Sequence, residues 1–61
     1  MPEVYVHAIA GRTKDQKRAL ITDITNAVVK HFGVNADAVL VEIVESSPDN
    51  KAKGGVLFSE R

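Results

Sequence analysis

Apolar and polar residues alternate from Glu3 to Ile9, with Val4, Val6 and Ala8 on one side and Tyr5, His7 and Ile9 on the other. A period of two predicts a β-strand. Ala10-Gly11-Arg12 interrupts the alternation, and Gly11 admits a tight turn. The period then lengthens. Thr13-Lys14-Asp15-Gln16 has the capping-box arrangement, in which the Thr13 hydroxyl accepts from the Gln16 amide and the Gln16 side chain reaches back to the Thr13 amide. The helix that follows is expected to run to about Phe32. Its apolar stripe is read as Leu20, Ile24, Ala27, Val28 and His31 or Phe32, with Lys14, Lys17, Arg18, Asp23 and Lys30 mostly on the solvated side. Gly33 suits the left-handed residue that ends a helix.

Alternation returns from Ala38 to Glu45, where Val39, Val41 and Ile43 share one face and Leu40, Glu42 and Val44 the other. A helix long enough for a crossover separates the two strands, so they are expected to be parallel neighbours with a right-handed connection. Val4, Val6, Val39, Val41 and Ile43 then pack against the helix. Ser46 to Asn50 reads as a loop, Gly54-Gly55 as a second turn, and Val56-Leu57-Phe58 as a short apolar tail. The tail has little to pair with in so small a unit and is expected to join a neighbouring chain. The fold class is α+β: a two-layer β-α-β unit with parallel strands and a short C-terminal strand or hairpin, forming one domain over residues 1–61.

Size changes the picture. A chain of 61 residues is marginal alone and is usually rescued by disulfides, a metal or oligomerisation. There is no cysteine, and His7 and His31 lie far apart outside any Cys/His cluster, so neither a disulfide nor a metal site is expected. Oligomerisation remains. The strand face bearing Tyr5, His7, Ile9, Leu40, Glu42 and Val44 would be an exposed apolar face in a monomer and reads as a subunit interface. Eight basic and eight acidic side chains balance, which argues against nucleic acid as the main partner. No apolar run approaches the ~20 residues that span a bilayer. The start, Met1-Pro2-Glu3-Val4, lacks the features of a secretory signal. A cytoplasmic location is the expectation.

The residue types able to do chemistry are few. Pro2 follows Met1, and removal of a methionine before so small a residue would turn Pro2 into a free secondary amine. Such an amine is a general base when its surroundings disfavour its protonated form. Arg12, at the end of the first strand, offers a planar fork for a carboxylate or a carbonyl oxygen. Taken alone, Pro2 reads more readily as an idle second residue and Arg12 as a solvated turn residue. His7 reads as a hydrogen-bonded strand histidine, and His31 complements the helix dipole. There is no phosphate loop and no nucleophile elbow.

Pro2, the strand leading to Gly11-Arg12, the capped helix, the second strand ending at Glu45, and Gly54-Gly55 occur in an order and spacing that resemble the 4-oxalocrotonate tautomerase family over essentially the whole chain. The resemblance implies a tautomerase interconverting enol and keto forms of a small 2-hydroxydienoate or enol-pyruvate type acid. Pro2 would be its base, Arg12 would bind substrate and stabilise charge on oxygen, and no cofactor would be needed. It also implies a homohexamer, a trimer of dimers, with active sites shared between chains. Two positions depart from the family pattern. A second arginine is replaced by Leu40, and a loop phenylalanine by Lys51. Lys51 or Lys53 would either restore the positive charge from the loop or stay solvated. The alternatives are another amino-terminal-proline reaction on a small keto or unsaturated acid (hydration, dehalogenation or decarboxylation), or an oligomeric binding module without activity.

Overall fold

Strand β1 (Glu3–Ile9) leads into helix α1 (Lys14–Phe32), and β2 (Leu40–Ser46) follows a 3₁₀ turn at Ala36–Ala38. This computed structural model describes all residues, 1–61. The strands are parallel and in the register Glu3↔Leu40 through Ile9↔Ser46. β2 begins and ends slightly later than the alternation predicts. The 3₁₀ turn takes up Ala38, whose amide donates to Asn35 O at 2.9 Å, and the Val39 amide donates to Ala36 O at 3.0 Å.

The helix forms where local chemistry dictates. The Gln16 amide donates to Thr13 Oγ1 at 3.1 Å, and the Thr13 amide donates to Gln16 Oε1 at 2.9 Å, so both halves of the capping box are present. At the other end Gly33 adopts φ 68°, and its amide donates to Val29 O at 3.0 Å. A left-handed backbone there favours glycine.

The helix covers the face of the sheet bearing Val4, Val6, Val41 and Ile43, all half-buried, as the alternation predicts. The stripe that covers it differs from the expected one. Lys17, Ile21, Ile24, Val28 and Val29 are half-buried, whereas Leu20, Ala27 and Phe32 are exposed, Phe32 at 70%. A period of 3.6 lets two adjacent stripes share Ile24 and Val28; the sheet half-buries Ile21 and leaves Leu20 at the edge of the covered face.

Past a 3₁₀ turn at Pro48–Asn50, β3 (Ala52–Lys53) and β4 (Val56–Leu57) form an antiparallel hairpin around Gly54-Gly55. Both glycines have positive φ, 61° and 80°, as a two-residue hairpin turn of this hand demands. The apolar tail thus finds a strand partner within its own chain, and Phe58 leaves the strand to open a 3₁₀ turn, Phe58–Glu60. No helix is long and apolar enough to cross a membrane.

No residue is fully buried, and the accessible surface is 4674 Å². A monomeric globular protein of this mass exposes about 3,900 Å². The radius of gyration is 14.7 Å, against roughly 10.5 Å for a compact chain of this length. The molecule is elongated, 43 × 23 × 14 Å, and much of its apolar surface has no partner within the chain.

Candidate functional site

Pro2 lies half-buried at the head of β1, and its carbonyl accepts from the Leu40 amide at 2.9 Å. That bond extends the parallel ladder by one rung and places Pro2 beside the first residue of β2. Leu40 projects from the face away from the helix and is 37% exposed. Pro2 and Leu40 are therefore neighbours at one end of the sheet.

Arg12 is at the other end. Gly11, with φ 139°, turns the chain out of β1, and Arg12 Nη1 donates to Ile9 O at 3.1 Å. Seven strand residues separate the two ends, a distance of about 23 Å at ~3.3 Å per residue. One chain therefore does not bring Pro2 and Arg12 together.

Arg12 opens onto a cavity of about 240 Å³ between the start of α1 and the sheet, lined also by Val6, Ala8, Gln16, Lys17, Leu20, Ile43 and Glu45. Lys17 Nζ lies 2.8 Å from Glu45 Oε1, with side chains 32% and 29% exposed. Lys17 is thus drawn onto the sheet, against the sequence expectation of a solvated residue. The Arg18–Asp15 pair on the outer helix surface, at 3.0 Å, is far more exposed.

Lys51 belongs to a third region. Its Nζ stands 5.9 Å from the centroid of the Phe58 ring, and the Arg61 guanidinium carbon stands 5.1 Å from the same centroid. Arg61 Nη2 also donates to Lys53 O at 2.9 Å. The hairpin therefore brings two cations, Lys51 and Arg61, onto one aromatic ring. Sequence reasoning missed both this grouping and the Lys17–Glu45 pair. The spacing of Lys51 and Phe58 across Gly54-Gly55 was the available signal for the first.

A β-α-β unit with a proline at the head of its first strand, an arginine at the far end and a glycine-pair hairpin defines a small tautomerase-like class. The comparisons agree. The family model for tautomerase enzymes matches residues 2–61. A probable tautomerase of Bradyrhizobium diazoefficiens is 49% identical over 61 residues, covering 100% of this chain and 91% of that protein. The crystal structure of a 4-oxalocrotonate tautomerase homologue superposes with a TM-score of 0.94 at 33% identity, covering 100% of this chain and 97% of its own. A heterohexamer 4-oxalocrotonate tautomerase from Chloroflexus aurantiacus superposes at 0.85 with 27% identity, covering 98% of this chain and 97% of that one. The chain belongs to the tautomerase family, and this membership supports an isomerase activity of the tautomerase type.

Proposed function

We propose that the protein interconverts enol and keto forms of a small 2-hydroxydienoate or enol-pyruvate type acid, with Pro2 as general base after Met1 is removed. The observation that carries this reading is the family match, which runs from Pro2 to the last residue. Met1 is 82% exposed, so its peptide bond to Pro2 is open to processing. With Met1 attached, the Pro2 nitrogen is an amide and has no basic lone pair. Once freed, the neutral amine takes a proton from the enol hydroxyl or from a carbon next to the carbonyl and returns it at another carbon. The reaction is a net relocation of one proton and balances without an oxidant or cofactor.

Arg12 serves as the substrate's cation. Its fork binds the carboxylate and stabilises negative charge developing on the enolate oxygen. Because Arg12 and Pro2 stand at opposite ends of β1, an arginine acting at Pro2 comes from a neighbouring chain. A homohexamer, built as a trimer of dimers, supplies that arrangement and covers the open sheet face. The exposure of Tyr5, Leu20, Leu40 and Phe32 in the single chain supports it.

The test is ketonisation of an aryl enol-pyruvate by protein whose intact mass shows that Met1 is gone. Activity is expected there, and loss is expected in Pro2→Ala and in Met1-bearing protein. Equal rates with and without Met1 would remove Pro2 as the base.

A further inference from the structure

The cavity at the start of α1 brings two cations and one carboxylate together: Arg12, Lys17 and Glu45. A carboxylate close to an arginine that has to bind a substrate acid is a competitor, since it offers the guanidinium the same bidentate partner. Glu45 is nevertheless taken up by Lys17 at 2.8 Å, whereas Arg12 forms no ion pair and spends one of its five donors on Ile9 O. Local structure enforces this division. The capping box commits the Gln16 side chain to the Thr13 amide, and the next residue, Lys17, faces the sheet. There β2 presents Glu45 opposite Ala8.

We propose that Lys17 is a positioning residue that holds Glu45 off Arg12 and so keeps the guanidinium open to the substrate carboxylate. The inference rests on the reading of Arg12 as the substrate's cation. Charge counting states it simply. With Lys17 present the cavity carries one uncompensated positive charge, which matches one substrate carboxylate. Without Lys17 the two remaining charges cancel, and Glu45 becomes the partner of Arg12. Both members of the Lys17–Glu45 pair are about two-thirds sheltered, so salt screens this exchange only in part.

The test compares processed, assembled wild-type protein with Arg12→Ala, Lys17→Met, Lys17→Arg and Lys17→Met/Glu45→Gln, using an aryl enol-pyruvate as substrate. Lys17→Met is expected to raise KM about two- to fivefold, the scale of a partly exposed ion pair, with kcat within about twofold of wild type. Lys17→Arg should keep the wild-type KM, and the double variant should recover it, because glutamine does not compete for a guanidinium as a carboxylate does. If the double variant is as impaired as Lys17→Met, the pair is only structural and the proposal is overturned. An unchanged KM in Lys17→Met beside a strong loss in Arg12→Ala overturns it while leaving the Arg12 reading intact. Undiminished activity in Arg12→Ala removes that reading and this proposal with it. Should Lys17→Met not assemble, Lys17→Gln carries the same expectations.

Discussion

The phenol of Tyr5 donates to Glu3 Oε1 at 2.9 Å on the sheet face that the helix leaves open. Glu42 stands opposite Tyr5 in the register. The hydrogen bond to Glu3 is the largest influence raising the Tyr5 pKa above the ordinary phenol value, followed by the Glu3 charge, desolvation and the Glu42 charge. The folded state therefore keeps this proton at a pH where the unfolded phenol has lost it. Its contribution to stability is complete below the ordinary tyrosine pKa and is lost as pH rises through the folded value. Tyr5 is the only tyrosine and there is no tryptophan, so ultraviolet titration of the phenolate reports this group directly. The midpoint should lie above that of a free tyrosine and fall in Glu3→Gln. A midpoint indifferent to Glu3→Gln would show that the hydrogen bond does not govern it.

Assembly is the second expectation. With no fully buried residue and an apolar sheet face open, the single chain lacks the core that stability requires. Sedimentation at micromolar concentration should give a hexamer, or at least a dimer. Val44→Asp, which places a charge on the open face opposite His7, should shift the protein toward smaller or unfolded species. A folded wild-type monomer at that concentration would contradict the architecture.

The helix cap gives a third. Thr13→Ala removes the acceptor for the Gln16 amide and should cost about 1 kcal/mol. Gly33→Ala forces a side chain onto φ 68° and should also cost about 1 kcal/mol. Chemical denaturation at one fixed protein concentration measures both, since the stability of an assembling chain depends on concentration. Wild-type midpoints in both variants would mean that the ends of α1 are held by packing instead.

What the sequence showed plainly was local. The Thr13–Gln16 box and the Gly33 stop depend on contacts within a few residues, and the alternation of the two strands is written in adjacent residues although their pairing is not; the structure repeats all of these nearly residue for residue. The expected helix stripe held at Ile24 and Val28 but omitted Ile21, because Leu20 and Ile21 are adjacent and both apolar; the position of the sheet half-buries Ile21 and leaves Leu20 at the edge, lining the cavity. Lys17 and Glu45 meet across 28 residues, a relation no periodicity announces. The grouping of Lys51 and Arg61 on Phe58 appears only once the hairpin closes. Pro2 and Arg12 were legible as candidates, but their separation follows from the length and direction of β1.

Substrate choice is expected to turn on Leu40, whose amide donates to Pro2 O at 2.9 Å across the ladder. A second carboxylate in a largely desolvated site costs several kcal/mol unless a cation meets it. On the resemblance to the 4-oxalocrotonate tautomerase pattern, Leu40 takes the place expected for a second arginine, and it supplies no charge. The protein should therefore prefer monoacid enols, such as aryl or alkyl enol-pyruvates, over 2-hydroxymuconate. Lys51 and Lys53 are the residues that could offset the loss. Lys51 already lies over Phe58 and would have to leave the ring to reach a distal carboxylate. If Lys51→Ala and Lys53→Ala leave the diacid rate unchanged, neither lysine is the substitute clamp. Leu40→Arg should then raise kcat/KM for the diacid more than for the monoacid, by about tenfold if the new guanidinium recovers 1.4 kcal/mol of charge-assisted hydrogen bonding. Wild-type protein that turns over the diacid far faster than the monoacid, with both lysine variants unaffected, would refute the role assigned to Leu40.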